Sequence, residues 1–230
     1  CIRAPRNTVS LEIEIMNAVM PNYGYPTVSF ERGEGAYLFD TEGRRYLDFA
    51  AGIAVNSLGH SHPALVTALK EQAERLWHVS NLYAIPDQVR MAERLCALSF
   101  ADGVFFCNSG TEAMEGAVKA TRRFHAQNGA PEKWRSITLE GSFHGRTIAM
   151  LSASKNPKHL DGFGDPADGF DIVPVHNMNA LRDAITPETA AIVAEPIQGE
   201  GGLRPLAEDY LRDLRATADE FGLLLVFDEV

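Results

Sequence analysis

The chain has 230 residues, 45% hydrophobic and 23% charged, a composition typical of a folded globular protein rather than a disordered one. Lysine and arginine number 21 against 31 aspartate and glutamate, which gives a formal net charge of -10, and no basic cluster marks a surface for nucleic acid or membrane. The three cysteines lie far apart and form no CxxC pair, which favours a reducing compartment, so we expect a cytoplasmic protein that binds neither nucleic acid nor membrane.

The first predicted elements are three short apolar runs within residues 28–49, which two glycine-containing turns separate. Such runs between turn residues indicate an antiparallel β-meander. We place the meander in an N-terminal segment, residues 1–60, and the remainder, residues 61–230, in a larger second domain. A helix is predicted to begin at Pro63, with four apolar residues on one face, and another to cover residues 87–98. The four are Leu65, Leu69, Ala73 and Leu76.

Short apolar runs then alternate with stretches of helical periodicity. The runs are residues 104–107, 137–139, 172–175, 190–194 and 223–227. This alternation is typical of βαβ units, so we predict an α/β fold with a mostly parallel sheet. The clearest helix precedes the last run, and Gly222 is placed to end it.

A glycine-containing polar loop follows the first run and leads into a helical stretch. Backbone N–H groups at a helix N-terminus attract anions, and Gly110 lets the backbone approach an anion closely. Ser109 and Thr111 add hydroxyl donors, so the loop is a candidate phosphate cradle. The alternative is an ordinary N-cap at Ser109, because many helices begin after a serine or threonine.

Candidate site residues follow the later runs, and open α/β sheets bind ligands beyond the carboxyl ends of their strands. They are Phe143, His144 and Arg146 after the second run, Glu195 and Glu200 after the fourth, and Asp228 after the fifth. We expect them to converge near the phosphate cradle. A carboxylate at the end of an apolar run is costly to desolvate, so Asp228 should meet a cation. A helix cap or a structural pair with an arginine is the alternative for Asp228.

A phosphate cradle, an aromatic ring that covers a flat ligand and a carboxylate that pairs with a ring nitrogen together suggest pyridoxal phosphate. Four ordered segments resemble the class III pyridoxal-phosphate aminotransferases: residues 108–113, 141–146, 195–202 and 227–230. The resemblance implies the fold-type I transferase architecture. Residues 61–230 would then be an incomplete pyridoxal-phosphate-binding large domain with a mostly parallel sheet, preceded by a small α+β segment, and the enzyme would be a homodimer.

Within this class, residues 52–63 and 76–83 look most like members that transaminate N-acetylornithine with 2-oxoglutarate in arginine biosynthesis. Enzymes for ornithine, succinylornithine and 4-aminobutyrate share most of these motifs and remain alternatives. Two further classes stay open. One is a non-catalytic fragment or binding module. The other is a nicotinamide-dependent oxidoreductase, which ranks last because no GxGxxG follows a strand and opens a helix.

The resemblance implies a role for each matched residue. The expected cofactor contacts are Ser109, Gly110, Thr111, Phe143, His144, Glu195, Asp228 and Val230. Phe143 and Val230 would cover opposite faces of the ring, and Asp228 would pair with its nitrogen. The expected substrate contacts are Arg146, Glu200, Tyr23, Asn81 and Tyr83. Arg146 would bind a substrate carboxylate, and Glu200 would pair with a later arginine until a dicarboxylic substrate displaces it.

The Schiff-base lysine of the family has no counterpart among the lysines of this sequence. We therefore expect the chain to be part of a longer enzyme whose catalytic lysine lies beyond Val230. His60 and His62 form an HxH pair, but the spacing places no third ligand beside them, and no metal site is predicted.

Overall fold

The structure, a computed structural model, describes residues 19–20, 22–24 and 26–230. It contains two compact units, one that ends at Val89 and one that covers Arg90–Val230. The predicted boundary between residues 60 and 61 stays a prediction, and the part of the N-terminal segment before Val19 lies outside the described residues. Among the described residues, no helix combines the length and the apolar character that crossing a membrane requires.

The unit that ends at Val89 contains a small antiparallel sheet, which confirms the predicted meander. Its strands are β1 (Phe30–Glu34), β2 (Tyr37–Asp40) and β3 (Arg45–Leu47), paired in that order. Asp40 is buried at the end of β2, and its carboxylate accepts hydrogen bonds from Arg44 Nε at 2.6 Å and Tyr46 Oη at 3.0 Å. These two partners offset the cost of removing the Asp40 charge from water.

Three short helical segments follow the meander: α1 (Ala51–Ala54), α2 (Pro63–Ala73) and α3 (Pro86–Leu98). α1 is a left-handed turn, because Gly52 and Ile53 have φ angles of 67° and 60°. The helices predicted from Pro63 and over residues 87–98 are confirmed. α2 ends at Ala73, however, so Leu76 lies beyond the helix whose apolar face it was expected to extend.

Helices and strands alternate in the second unit. Its elements are α4 (Gly110–Gln127), β4 (Arg135–Leu139), α5 (Ile148–Ser154), α6 (Pro157–Leu160), β5 (Phe170–Val173), α7 (Met178–Asp183), β6 (Thr189–Ala194), β7 (Ile197–Gln198), β8 (Arg204–Pro205), α8 (Glu208–Phe221) and β9 (Leu224–Phe227). Four strands form a parallel sheet in the order β5-β4-β6-β9, which confirms the predicted α/β fold. β7 and β8 form a separate antiparallel pair.

Two of the predicted strands differ from the structure. Residues 104–107 are not a strand, because none of the described strands lies beside them to complete a hydrogen-bond ladder. Phe105 in this run is 74% exposed. The strand predicted at residues 172–175 is instead β5, which ends at Val173. Pro174 explains the earlier end, since a proline has no N–H with which to continue the ladder.

Helices cover both faces of the parallel sheet. Successive residues of a strand point to opposite faces, so neighbours on β6 belong to different clusters. Ile192 packs with Leu214 of α8 on one face. Val193 packs with Met114 of α4 and Met150 of α5 on the other. Full burial of one such side chain contributes about 1.5–3 kcal/mol, so the central strands anchor the unit.

The winding direction of the sheet reverses between β4 and β6. β5 comes next after β4 in the chain and lies on one side of it, whereas β6 lies on the other side and is followed outward by β9. α5 packs on one face of the sheet and α8 on the opposite face. After β4 and β6 the chain therefore continues to helices on opposite faces of the sheet, and such a reversal opens a crevice at the carboxyl ends of the strands.

A left-handed glycine ends α8, as predicted. Gly222 has a φ of 61°, and Leu223 N donates to Ala218 O at 2.8 Å across the last turn. Lys133 Nζ donates to the carbonyl oxygens of Phe221 and Gly222, each at 3.1 Å. A cation at this end of the helix also complements the negative pole of the helix dipole.

Gly222→Ala is expected to lower the free energy of unfolding by about 1 kcal/mol, because the left-handed backbone conformation is unfavourable for a residue with a Cβ atom. A methyl group at Gly222 would meet only Lys133 Nζ, at 3.8 Å, so the cost is conformational and not steric. Urea denaturation of both proteins measures the difference.

Gly103→Ala is the matched control, because Gly103 has no left-handed φ and a methyl group there would have no neighbour within 4 Å. Its unfolding midpoint should equal or slightly exceed that of the parent protein. Equal midpoints for the two variants would contradict the conformational explanation at Gly222.

Candidate functional site

Four segments meet at the carboxyl ends of β4, β6 and β9. They are the start of α4 (residues 108–112), the β4 loop (residues 140–147), the β6 loop (residues 195–203) and the β9 end (residues 228–230). Three of them follow neighbouring parallel strands, which explains why side chains far apart in sequence come together. All four lie within the second unit.

The start of α4 combines a helix cap with free N–H groups. Ser109 is the N-cap, and its Oγ accepts from Glu112 N at 3.2 Å. Glu112 reaches back in turn and accepts from Asn108 N at 2.6 Å. The N–H groups of Gly110 and Thr111 have no acceptor among the described residues. The alternative of an N-cap at Ser109 is thus realised, and two N–H groups remain for an anion.

The β4 loop and the β9 end both touch the start of α4. Arg146 N donates to Thr111 Oγ1 at 3.3 Å. Gly145, with a φ of 129°, lies so close to Thr111 that an added methyl group would overlap the threonine side chain. On the other side, a methyl group at Gly110 would lie 2.7 Å from Val230 Cγ1. Arg146, one of the residues expected to converge on the phosphate cradle, therefore lies beside it, and Val230 does so too.

Asp228 and His144 form a buried pair. Asp228 Oδ2 lies 2.8 Å from His144 Nδ1, and the side chains are 4% and 0% exposed. Asp228 Oδ1 accepts from Val230 N at 3.1 Å. The described side chain that meets Asp228 is thus a histidine rather than an arginine, and the expected cation stays a prediction. His144 Nε2 is buried and has no hydrogen-bond partner among the described residues.

Glu195 is a second buried carboxylate in the crevice, 5% exposed. Its Oε1 accepts from Phe143 N at 2.6 Å and its Oε2 from Gly199 N at 3.1 Å. Burial raises the pKa of Glu195, and these two N–H donors oppose the rise by favouring the ionised form. The carboxylate therefore joins the β4 loop to the β6 loop.

Phe143 and Arg146 lie next to one another on the β4 loop. The Arg146 guanidinium carbon is 5.3 Å from the centre of the Phe143 ring, and the His159 ring meets Phe143 edge-on at 6.1 Å. Phe143 is half-buried and Arg146 exposed, so a ligand can reach both. The aromatic ring also holds the cation where a carboxylate could approach it.

The remaining predicted substrate contacts are exposed. Glu200 lies on the β6 loop and is exposed. Tyr23 and Tyr83 are 84% and 68% exposed, and Asn81 is also exposed. These last three belong to the unit that ends at Val89, and their place in a pocket stays a prediction.

Two residues of the crevice were not predicted. Gln198 is 1% exposed, and its Nε2 donates to Glu140 O at 2.9 Å. Thr147 Oγ1 donates to Glu115 Oε1 at 2.5 Å and so ties the β4 loop to α4. Gln198 lies inside the motif at residues 195–202, and that position was the signal available in the sequence.

The groups present fit pyridoxal phosphate. The free N–H groups of Gly110 and Thr111 suit a phosphate, the accessible Phe143 ring suits a flat heterocycle, and the buried Asp228 carboxylate suits a ring-nitrogen cation. The role expected for each residue stays a prediction.

Comparison with known proteins matches residues 18–230 to the family model of the class-III aminotransferases. The acetylornithine aminotransferase of Agrobacterium fabrum is 59% identical over 201 residues, which cover 87% of this chain and 50% of that protein. The chain thus spans about half the length of the curated relatives it matches.

Solved structures give the same result. N-acetylornithine aminotransferase from Stenotrophomonas maltophilia is 39% identical with a TM-score of 0.76, over 90% of this chain and 52% of that one. Ornithine aminotransferase from Toxoplasma gondii, with partially occupied pyridoxal phosphate at its active site, is 31% identical with a TM-score of 0.85, over 92% and 50%. The chain belongs to the class-III aminotransferases.

Proposed function

We propose that the full-length protein is a cytoplasmic pyridoxal-phosphate enzyme that moves the terminal amino group of N-acetylornithine to 2-oxoglutarate. The products are N-acetylglutamate semialdehyde and glutamate. The amino group and the carbonyl oxygen change places between the two substrates, so the reaction needs no external oxidant. A homodimer and a role in arginine biosynthesis belong to the same proposal.

The buried Asp228–His144 pair is the observation that carries this proposal. Each Asp228 oxygen has one hydrogen-bond partner, His144 Nδ1 at 2.8 Å and Val230 N at 3.1 Å. A carboxylate oxygen accepts more than one hydrogen bond, so acceptor capacity remains for a ring nitrogen. An ionised carboxylate at a buried position favours a protonated partner strongly, because little solvent screens the charges.

The chain's own residues divide the work of binding. Gly110 and Thr111 would hold the phosphate, Phe143 and Val230 would enclose the ring, and Asp228 would keep the proton at the ring nitrogen. When bound, the cofactor supplies an electron sink for the electrons released at the substrate carbon. We place the proton-transferring lysine in the half of the relatives' length that this chain does not span.

Substrate recognition is proposed for the exposed charged residues of the β4 and β6 loops. The Arg146 guanidinium presents paired donors that match a carboxylate, and its contact with Phe143 orients it. Glu200 would neutralise an arginine outside this chain when the amino donor binds and release it for 2-oxoglutarate. Ornithine is the second candidate donor, because an ornithine aminotransferase is among the similar structures.

Asp228→Asn in the full-length enzyme is expected to lower kcat at least about a hundredfold, because the amide keeps the shape but not the charge that holds the ring-nitrogen proton. Steady-state turnover and the absorption spectrum of the bound cofactor measure the effect. Asp213→Asn, at an exposed position of α8, is the control and should leave both unchanged. Turnover like that of the parent protein would remove Asp228 from its proposed role.

A panel of amino donors tests the proposed substrate. N-acetylornithine should give the highest kcat/KM among acetylornithine, ornithine, succinylornithine and 4-aminobutyrate. Each missing or additional group in the pocket changes this ratio by roughly 10-fold or more. A higher ratio for ornithine would replace the first candidate with the second.

Arg146→Gln should raise the KM for 2-oxoglutarate at least about tenfold, because a neutral amide cannot form the charged, two-point contact. Arg212→Gln on the exposed face of α8 is the matched control and should not change this KM. An unchanged KM in the Arg146 variant would place the carboxylate contact elsewhere.

A further inference from the structure

The β6 loop rests on the β4 loop through contacts that the cofactor and substrates do not explain. One oxygen of the Glu195 carboxylate accepts from Phe143 N in the β4 loop at 2.6 Å, and the other accepts from Gly199 N in the β6 loop at 3.1 Å. Glu195 is at the carboxyl end of β6, and both donors are main-chain groups. The contact therefore fixes the paths of the two loops rather than the rotamer of one side chain.

Two further contacts join the same loops. Gln198 Nε2 donates to Glu140 O at 2.9 Å from a position that is 1% exposed. The loops also approach closely, because a methyl group at Gly201 would lie 3.2 Å from Gly141 O. Three independent contacts thus connect them at the point where the sheet reverses its winding.

Each loop carries one residue with a different proposed role. Phe143 on the β4 loop would stack on the cofactor, and Glu200 on the β6 loop would respond to the substrate. The donors that Glu195 binds belong to Phe143 itself and to Gly199, the residue directly before Glu200. A displacement of Glu200 therefore acts next to Gly199, whose N–H donates to Glu195. The other oxygen of Glu195 accepts from Phe143 N.

We propose that Glu195 is a positioning residue that couples the two loops, so that a movement of Glu200, when a dicarboxylate binds and Glu200 releases its arginine, is transmitted to the main chain of Phe143. The proposal rests on the proposed function for the identity of the dicarboxylate. The clamp, meaning the two hydrogen bonds by which Glu195 joins Phe143 N to Gly199 N, depends only on the observed geometry. In this arrangement Glu195 acts on the cofactor through Phe143, since both of its oxygens are engaged by main-chain donors.

Only a carboxylate satisfies both donors. An amide offers one acceptor oxygen and one NH₂ group, and the NH₂ group would face an N–H donor. Glu195→Gln therefore keeps the size of the side chain while it breaks one side of the clamp. Hydrogen exchange of peptides that contain Phe143 and Gly199 reports each side separately, without any need for turnover.

In the full-length protein without substrate, Glu195→Gln is expected to speed exchange about tenfold or more at one or both of these amides, the effect of losing a charge-assisted hydrogen bond. Glu132→Gln, at an exposed position outside the crevice, is the control and should change neither. Unchanged exchange at both amides in Glu195→Gln overturns the clamp. If Glu195→Gln does not fold, Glu195→Asp keeps the charge but is too short to reach both donors, and the same readout applies.

Glutarate, a five-carbon dicarboxylate without a reactive carbonyl group, tests the coupling. Because Arg146 on the β4 loop is itself a proposed carboxylate contact, the coupling is tested in an Arg146→Gln background. There, saturating glutarate should change the exchange of both the Gly199 and the Phe143 amides. With Glu195→Gln added, it should change the exchange of the Gly199 amide alone. A change at both amides in the double variant, or at Gly199 alone in Arg146→Gln, overturns the coupling. No change at either amide in the parent protein contradicts the proposed dicarboxylate substrate, and the exchange without ligand then decides the clamp on its own.

Discussion

The reversal of winding between β4 and β6 is the constraint on which the site depends. Because the sheet order is β5-β4-β6-β9, β4 and β6 are neighbours, and the helices α5 and α8 that follow them pack on opposite faces of the sheet. The start of α4 and the end of β9 adjoin each other at the carboxyl ends of these strands. Residues separated by up to 84 positions in sequence, such as His144 and Asp228, can therefore share a hydrogen bond. The strand order therefore determines where the site lies, whichever side chains line it.

Buried charge gives this crevice its chemistry. Asp228 and Glu195 are two buried carboxylates of this crevice, and the buried His144 contacts Asp228. Burial raises the pKa of Glu195, so the folded chain binds that proton more tightly than the unfolded chain does. The linked stabilisation is present below the ordinary pKa of a glutamate and is lost as the pH rises through the folded value. Main-chain donors at Phe143 and Gly199 oppose this loss by favouring the carboxylate.

The sequence predicts those parts of the fold in which local pattern and tertiary environment agree. β6 is a continuous apolar run because both of its faces are buried, and Gly222 ends α8 because left-handed backbone favours glycine. The prediction is wrong at residues 104–107, where an equally apolar run has no strand beside it among the described residues. A strand forms only beside a neighbouring strand, and the pattern of residues within the run does not show whether such a neighbour exists. The sequence also did not predict that Asp228 contacts His144, because the two residues are 84 positions apart and only the folded sheet brings them together.

The distances in sequence that the site spans have a consequence for folding kinetics. Thr111 meets Arg146 across 35 positions, and Phe143 meets Glu195 across 52. Each contact closes a long loop, and chains dominated by such contacts fold slowly because the entropy of closure is lost before the contacts form. The capped start of α4 is local and can form early, whereas the crevice requires the ordered sheet. A ligand that needs both would bind only the folded chain and, at a hundred times its Kd, would add about 2.7 kcal/mol to the free energy of unfolding.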